Sequence, residues 1–448
     1  MLNCKEFLIF IVICYSVVTV SAQSSAIFPK GNSPYSRFGL GDPVGQNLAA
    51  AGGMGGLSAA FSDAYHLNLQ NPAALASLQS TAFEVGIFGR YAQLQDENKS
   101  ASLWTGNLNY LALGFPLINP ISRVVDKNVS PWNYGMALAL QPVTTVGYDI
   151  RAQVQQPGEI EQTTSVFKGG GGTYRLNWSN GVKYKNFAFG IGLGYYFGKI
   201  TNNLRVELDS LRPAYVTEFT NELSVSGFVW NAGIQYTAEF GKINKNQNAR
   251  QRLTLGVYGN SATDFNTNAS RLFLRNIEYI RRNDTLTNVS NQKGTGTLPA
   301  QWTAGLLYEQ PNKFRIGAEY GIASWSNYRN DGKEETITFA DANRLAVGLE
   351  WIPDFNSYNA YLSRVRYRLG FVAATDPRQI SGEQLQQTSI TLGAGFPLLM
   401  PRQQISFINL SLEAGRFGLP NALRENFVRM TLGFTLNDNT WFFKRKFG

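Results

Sequence analysis

The sequence predicts an all-β fold, a transmembrane antiparallel β-barrel of about fourteen strands with an N-terminal plug, or hatch, in its lumen. Three observations predict it. From residue 81 onward, runs of about ten residues alternate apolar with small or polar side chains and end in polar turns. The composition suits a wall in lipid, with 44 glycines, 13% aromatic residues and only 16% charged residues, against about a quarter charged in soluble domains. The chain also opens with an export leader, so the remainder is expected beyond the inner membrane.

Residues 1–22 read as a secretory signal peptide. Lys5 precedes the almost unbroken apolar run from Phe7 to Val20, and Val20-Ser21-Ala22 supplies the small residues of a cleavage site before Gln23. The run is short for a membrane anchor. Cys4 and Cys14 both lie upstream of the cleavage site. This excludes a lipoprotein cysteine, and it removes disulfides, thiolate catalysis and cysteine-ligated metals from the mature chain. The only histidine, His66, reads as a structural residue, so no metal and no cofactor is expected. Lys5 and Glu6 cancel, and the net charge of +9 survives cleavage. On an exported chain that balance points to membrane lipids and lipopolysaccharide phosphates, not to nucleic acid.

Fourteen candidate strands run near 82–94, 104–115, 133–144, 172–183, 187–204, 218–239, 251–262, 298–309, 313–326, 340–351, 360–373, 387–397, 404–415 and 425–436. In the last, Val428, Met430, Leu432, Phe434 and Leu436 share one face, opposite Phe427, Arg429, Thr431, Gly433 and Thr435. In the fifth, Phe187, Phe189, Ile191, Leu193, Tyr195 and Phe197 oppose a row that is mostly glycine. The ninth, tenth and twelfth repeat the pattern, and charge stays on the face away from the apolar row, as a polar lumen and a lipid exterior require. Trp441, Phe442 and Phe443 then read as an interfacial girdle. Connections after even strands are mostly short and are assigned to the periplasm, with 116–132 the exception. The stretches 145–171 and 263–297 are read as long outer loops. Residues 81–448 therefore form the barrel.

Residues 23–80 differ. Asn47 to Ala60 is rich in alanine and glycine, and Asn71-Pro72-Ala73 opens a candidate helical turn over Ala73 to Leu78. Small residues pack closely, so the segment is read as a plug in the lumen, with a disordered periplasmic tail as the alternative.

Several segments resemble the FadL-like outer-membrane transport proteins in their Bacteroidota form. These are Asn32-Ser33-Pro34-Tyr35-Ser36-Arg37-Phe38-Gly39, the Asn71-Pro72-Ala73 tripeptide of the hatch, and Pro142-Val143-Thr144-Thr145-Val146-Gly147-Tyr148. Gly169 to Gly172 with Asn180-Gly181, and Trp441-Phe442-Phe443-Lys444-Arg445-Lys446, complete the set. The resemblance implies a fourteen-stranded barrel with an N-terminal hatch. It also implies passive uptake of hydrophobic molecules, fatty-acid-like or aromatic, with lateral release through a gap at a kinked third strand. Related PorV-like barrels are instead partners in protein secretion, and fold does not fix function.

Two features bear on chemistry. Arg364, Arg366 and Arg368 stand at period two on strand eleven and must point inward, since arginine facing lipid at mid-membrane costs ~2–4 kcal/mol. Arg315, Glu319, Arg344, Glu350 and Glu413 face inward on neighbouring strands by the same parity. They form either ion pairs that brace wall and plug or a site for an anionic head group. Pro142 lies at the end of strand three and lacks a ladder N–H, so it marks either a lateral opening or a proline beyond the membrane zone. The Gly169–Gly172 run lacks the Lys-Ser/Thr of a phosphate loop, and a single histidine gives no basis for a triad, so no enzyme is expected. The predicted function is an outer-membrane channel for hydrophobic or amphiphilic small molecules. The alternative is a non-transporting barrel that serves an envelope secretion or assembly complex.

Overall fold

The computed structural model describes residues 33–96, 99–118, 130–155, 162–208, 215–244, 249–277, 282–400, 404–419 and 423–438. The leader with its cleavage site, most of the 116–132 connection and the aromatic group at 441–443 lie outside the described residues.

Fourteen antiparallel strands close into a barrel. In chain order they are β1 (Thr81–Gln95), β2 (Ser100–Pro116), β3 (Trp132–Gln155), β4 (Gln162–Tyr184), β5 (Phe187–Leu208), β6 (Tyr215–Asn244) and β7 (Ala249–Asn260). The second half comprises β8 (Gln301–Gln310), β9 (Phe314–Ala323), β10 (Ala342–Trp351), β11 (Arg366–Ile380), β12 (Glu383–Met400), β13 (Gln404–Gly418) and β14 (Arg424–Asp438). β14 pairs with β1 from Asp438↔Thr81 to Arg424↔Gln95, which joins the two ends of the wall. The alternation read in the sequence sets the faces. On β5, Phe187, Phe189, Ile191 and Leu193 are exposed on the outer wall, whereas Ala188 and Tyr196 are buried in the lumen. All fourteen expected strands are present, because a side-chain period of two survives wherever one face meets lipid and the other a packed lumen.

Three expectations need correction. The stretch 145–171 is mostly not loop, since β3 continues to Gln155 and β4 begins at Gln162. The stretch 263–297 is an outer hairpin, Thr263–Ile277 against Arg282–Leu298. It pairs with the outer part of β6 from Tyr215↔Ile277 to Ser226↔Asn266, whereas the inner part of β6 pairs with β7 from Ala232↔Gly259. These outer stretches rise beyond the apolar band and carry polar side chains on both faces, which erases the alternation. Third, strand eleven starts at Arg366, because Tyr361–Arg364 is a 3-10 turn closed by a Val365 N–H bond to Leu362 O at 3.3 Å. Arg364 thus lies outside the strand, over the Tyr361 ring at 5.2 Å.

Residues 33–80 fill the lumen from one end to the other. Ser80 leads into β1, while Ser33 donates its hydroxyl proton to Glu425 near the start of β14, at the opposite rim. The segment holds two 3-10 turns, Pro34–Arg37 and Pro72–Ser77, one helical turn, Ala49–Gly52, and a short strand, Asp42–Pro43. Leu48, Ala49, Leu67, Leu69, Leu75 and Leu78 pack on Tyr110, Ala112, Ala137 and Ala139 of β2 and β3. Met54, Leu57, Ala60 and Phe61 pack on Leu307, Ala346 and Val372 across the lumen. A third core packs the plug against the outer strands. Leu40 of the plug meets Val146 and Tyr148 of β3, Tyr196 and Ile200 of β5, Leu223 and Val225 of β6, Phe265 of the outer hairpin and Tyr328 of the β9–β10 connection.

Candidate functional site

Between residues 33 and 80 the only carboxylates are Asp42 and Asp63, and each is held by wall arginines. Asp63 Oδ2 accepts from Arg315 Nη1 of β9 at 2.8 Å and from Arg366 Nη1 of β11 at 2.9 Å. Arg315 also pairs with Glu309 of β8 at 2.8 Å and with Glu350 of β10 at 3.3 Å. Glu350 accepts from Arg368 Nε at 2.7 Å, and Arg368 Nη1 reaches Asn409 Oδ1 of β13 at 2.9 Å. A continuous charge network therefore ties the plug to β8, β9, β10, β11 and β13. The Asp63 side chain is 1% exposed. At that depth a carboxylate needs its partners, and removing one side of such a pair costs about 3–5 kcal/mol.

A second anchor uses neutral plug groups. Glu319 Oε2 accepts from the N–H groups of Ser58 at 2.7 Å and Ala59 at 3.0 Å, while Glu319 Oε1 accepts from Arg344 Nη1 at 2.6 Å. Arg344 also donates to Gly55 O. Thr391 Oγ1 of β12 accepts from Gly55 N–H at 2.8 Å.

Asn71-Pro72-Ala73 forms the third. Asn71 Nδ2 donates to Ala59 O at 2.6 Å, and Asn71 Oδ1 accepts from Ala73 N–H at 3.1 Å, capping the 3-10 turn that proline opens. The turn rests on bare backbone: a Cβ at Gly190 of β5 would lie 2.3 Å from Ala73 N.

At the outer end, Arg378 of β11 pairs with Asp42 and donates to Tyr35 O at 2.8 Å. Burial pushes the Asp42 carboxyl up, against the pull of Arg378. Lys333, in the β9–β10 connection, donates to Arg37 O at 2.6 Å and Gly39 O at 2.7 Å, and burial pushes its ammonium down.

The structure thus brings Arg315, Glu319, Arg344, Glu350, Arg366 and Arg368 into contact with the plug or with one another. Glu413 stands apart. It accepts from Ser389 at 2.8 Å and lines a lumen cavity of about 350 Å³ with Arg90 and Arg429. Sequence parity did not nominate Asp63, Ser58 or Asn409. Asp63 carried a usable signal as an isolated carboxylate within an almost uncharged segment. His66 is buried, with its ring 4.7 Å from Phe407 and Nδ1 3.3 Å from Thr435 Oγ1.

Pro142 does not end β3 but lies inside it, opposite Tyr174 of β4, at a bulge before Thr144. Pairing of β3 with β2 runs only from Pro116↔Gly135 to Leu111↔Leu140. Beyond Leu140, the edge of β3 is taken by the plug: Asp42 pairs with Thr145, Pro43 with Thr144, and Val44 N–H donates to Val143 O at 2.9 Å. A seam therefore separates the outer halves of β2 and β3. Beside it lies a cavity of about 450 Å³, bordered by Thr105, Asn107, Val146, Gly170 and Lys199.

Comparison places this geometry among known barrels. The family model described as BamG matches residues 3–448. Among solved structures, the CymD monoaromatic hydrocarbon channel superposes with a TM-score of 0.50 at 14% identity, covering 90% of this chain and 99% of that one. The Pseudomonas putida toluene transporter TodX gives 0.51 at 15% identity, covering 89% and 99%. At such identities the likeness is one of fold, and it bears out the FadL-like barrel expected from the sequence. No curated protein sequence matches the chain.

Proposed function

The chain belongs to the BamG family, and on that premise we propose that it works in the outer membrane as a non-transporting accessory subunit of the β-barrel assembly (BAM) complex. The observation that carries this reading is the family match, which runs almost the whole length of the chain. The lumen supports it. Ion pairs of Asp63 hold the plug to β9 and β11 and through them to the wall network, and the Leu40–Phe265 core packs the plug against the outer strands. A conduit needs a path that opens at modest cost, and several buried charge contacts must break before this plug moves. Export by a cleavable leader and contact with membrane lipids and lipopolysaccharide belong to the same proposal.

Uptake of a hydrophobic small molecule, with release at Pro142, is the second reading. The β2–β3 seam favours it, as does a fold shared with the CymD and TodX channels. Depleting the protein separates the two. As a BAM subunit, its loss lowers the amount of folded, heat-modifiable outer-membrane barrels and leaves entry of toluene and long-chain fatty acids unchanged. The reverse pattern would reject the accessory role and establish uptake.

A further inference from the structure

The two edges of the seam are not equivalent. The plug covers the β3 edge over Val143–Thr145 with backbone bonds, whereas the facing edge of β2 has no strand partner among the described residues from Ser100 to Leu108. On its other side this part of β2 is fully laddered to β1, from Gln95↔Ser100 to Ile87↔Leu108. The Leu108 N–H is not spent on β1; it is taken by the Asn107 side chain at 2.9 Å. In an antiparallel strand alternate residues direct both N–H and C=O to the same side. Gly106, Trp104 and Ser102 therefore point their backbone groups into the seam with Leu108.

The Trp104–Leu108 part of this edge lies at the depth of the apolar wall, while Ser102 and Ser100 are level with the polar Gln93 and Gln95 at its outer margin. Trp104 is level with Tyr91 of β1 and, through it, with Val428 of β14, and Leu108 is level with Ile87 and Leu432. Trp104, Val428 and Ile87 are all exposed on the outside of the barrel. In hydrocarbon, each unsatisfied backbone group costs several kcal/mol. A lipid tail or an apolar solute supplies neither donors nor acceptors, so neither satisfies the edge. An extended polypeptide supplies both at the required two-residue spacing.

We propose that the β2 edge from Ser100 to Leu108 receives an extended segment of a partner polypeptide as an added strand, with apolar side chains on its lipid side. The occupant is a protein chain because only a backbone matches the alternating donors and acceptors. Since the plug already takes Val143–Thr145 of β3, the added strand pairs with β2. The inference rests on the accessory reading and names the surface through which that partnership is made.

Proline substitution tests it at the level of one hydrogen bond. Trp104→Pro deletes an N–H that points into the seam and leaves the ladder to β1 intact. Trp104→Val removes the same ring but keeps the N–H. Both variants are checked for the heat-modifiable shift of a folded barrel, with Ser102→Pro as a second proline should the first misfold. Amide exchange over 100–109 is compared between isolated and complex-bound wild-type chain. The expected result is at least a tenfold loss of BAM co-purification for the proline variant, near-normal recovery for Trp104→Val, and slowed exchange over 100–109 in the complex. Normal recovery of folded proline variants, or equal exchange in both states, overturns the added strand while the accessory reading stands. Wild-type chain recovered free of any assembly component overturns both.

Discussion

At the residue scale, Asp63 is the side chain on which the plug most depends. Its carboxylate carries two guanidinium groups in a buried site, and Asp63→Ala takes the ion-pair partner from Arg366 and leaves Arg315 with the wall carboxylates Glu309 and Glu350 alone. The expected cost is about 3–5 kcal/mol, seen as a lower melting temperature and a rise in ion conductance across planar bilayers. Unchanged conductance in a folded variant would mean that the network does not hold the plug. Much of this network was legible beforehand, because parity on a wall strand decides which charges can face lipid. Arg315, Glu319, Arg344, Glu350, Arg366 and Arg368 all followed from it. Arg364 did not, since parity carries no information once the chain leaves the strand for a 3-10 turn. Parity also says nothing about which plug residue the arginines meet, as that depends on how a segment without periodic structure threads the lumen.

At the scale of elements, the wall was legible and its outer extensions were not. Strands bounded by lipid must alternate, and the fourteen ranges follow. The hairpin Thr263–Ile277 with Arg282–Leu298 is polar over much of its length and so reads as loop. Pro142 illustrates the same limit: a proline inside a strand looks like an end unless a bulge and a missing neighbour are known. The plug's fit to the wall gives a prediction at this scale. At Gly190, a single methyl group would meet the Pro72–Ala73 backbone, with the nearest atom at 2.3 Å. Gly190→Ala should therefore displace the Asn71-Pro72-Ala73 turn at a cost of about 1–3 kcal/mol and speed amide exchange over 71–78, while β5 itself stays folded. Unaltered exchange there would show that the turn does not depend on close approach to β5.

At the scale of the whole molecule, the plug is fixed at two levels. The charge network fixes the plug, and a separate apolar core joins the plug, the projecting strands and the outer hairpin. Among the described residues, β2 and β3 part over the outer half of their seam. A barrel whose wall parts at its side offers an edge to partners within the membrane plane. The measurement that bears most directly on this account is affinity purification of the tagged chain from native outer membranes in mild detergent, with subunit ratios determined by mass. The account predicts recovery in fixed, near-stoichiometric ratio with the BAM complex. Recovery of the chain as a free barrel, with the assembly complex intact in the unbound fraction, would contradict it.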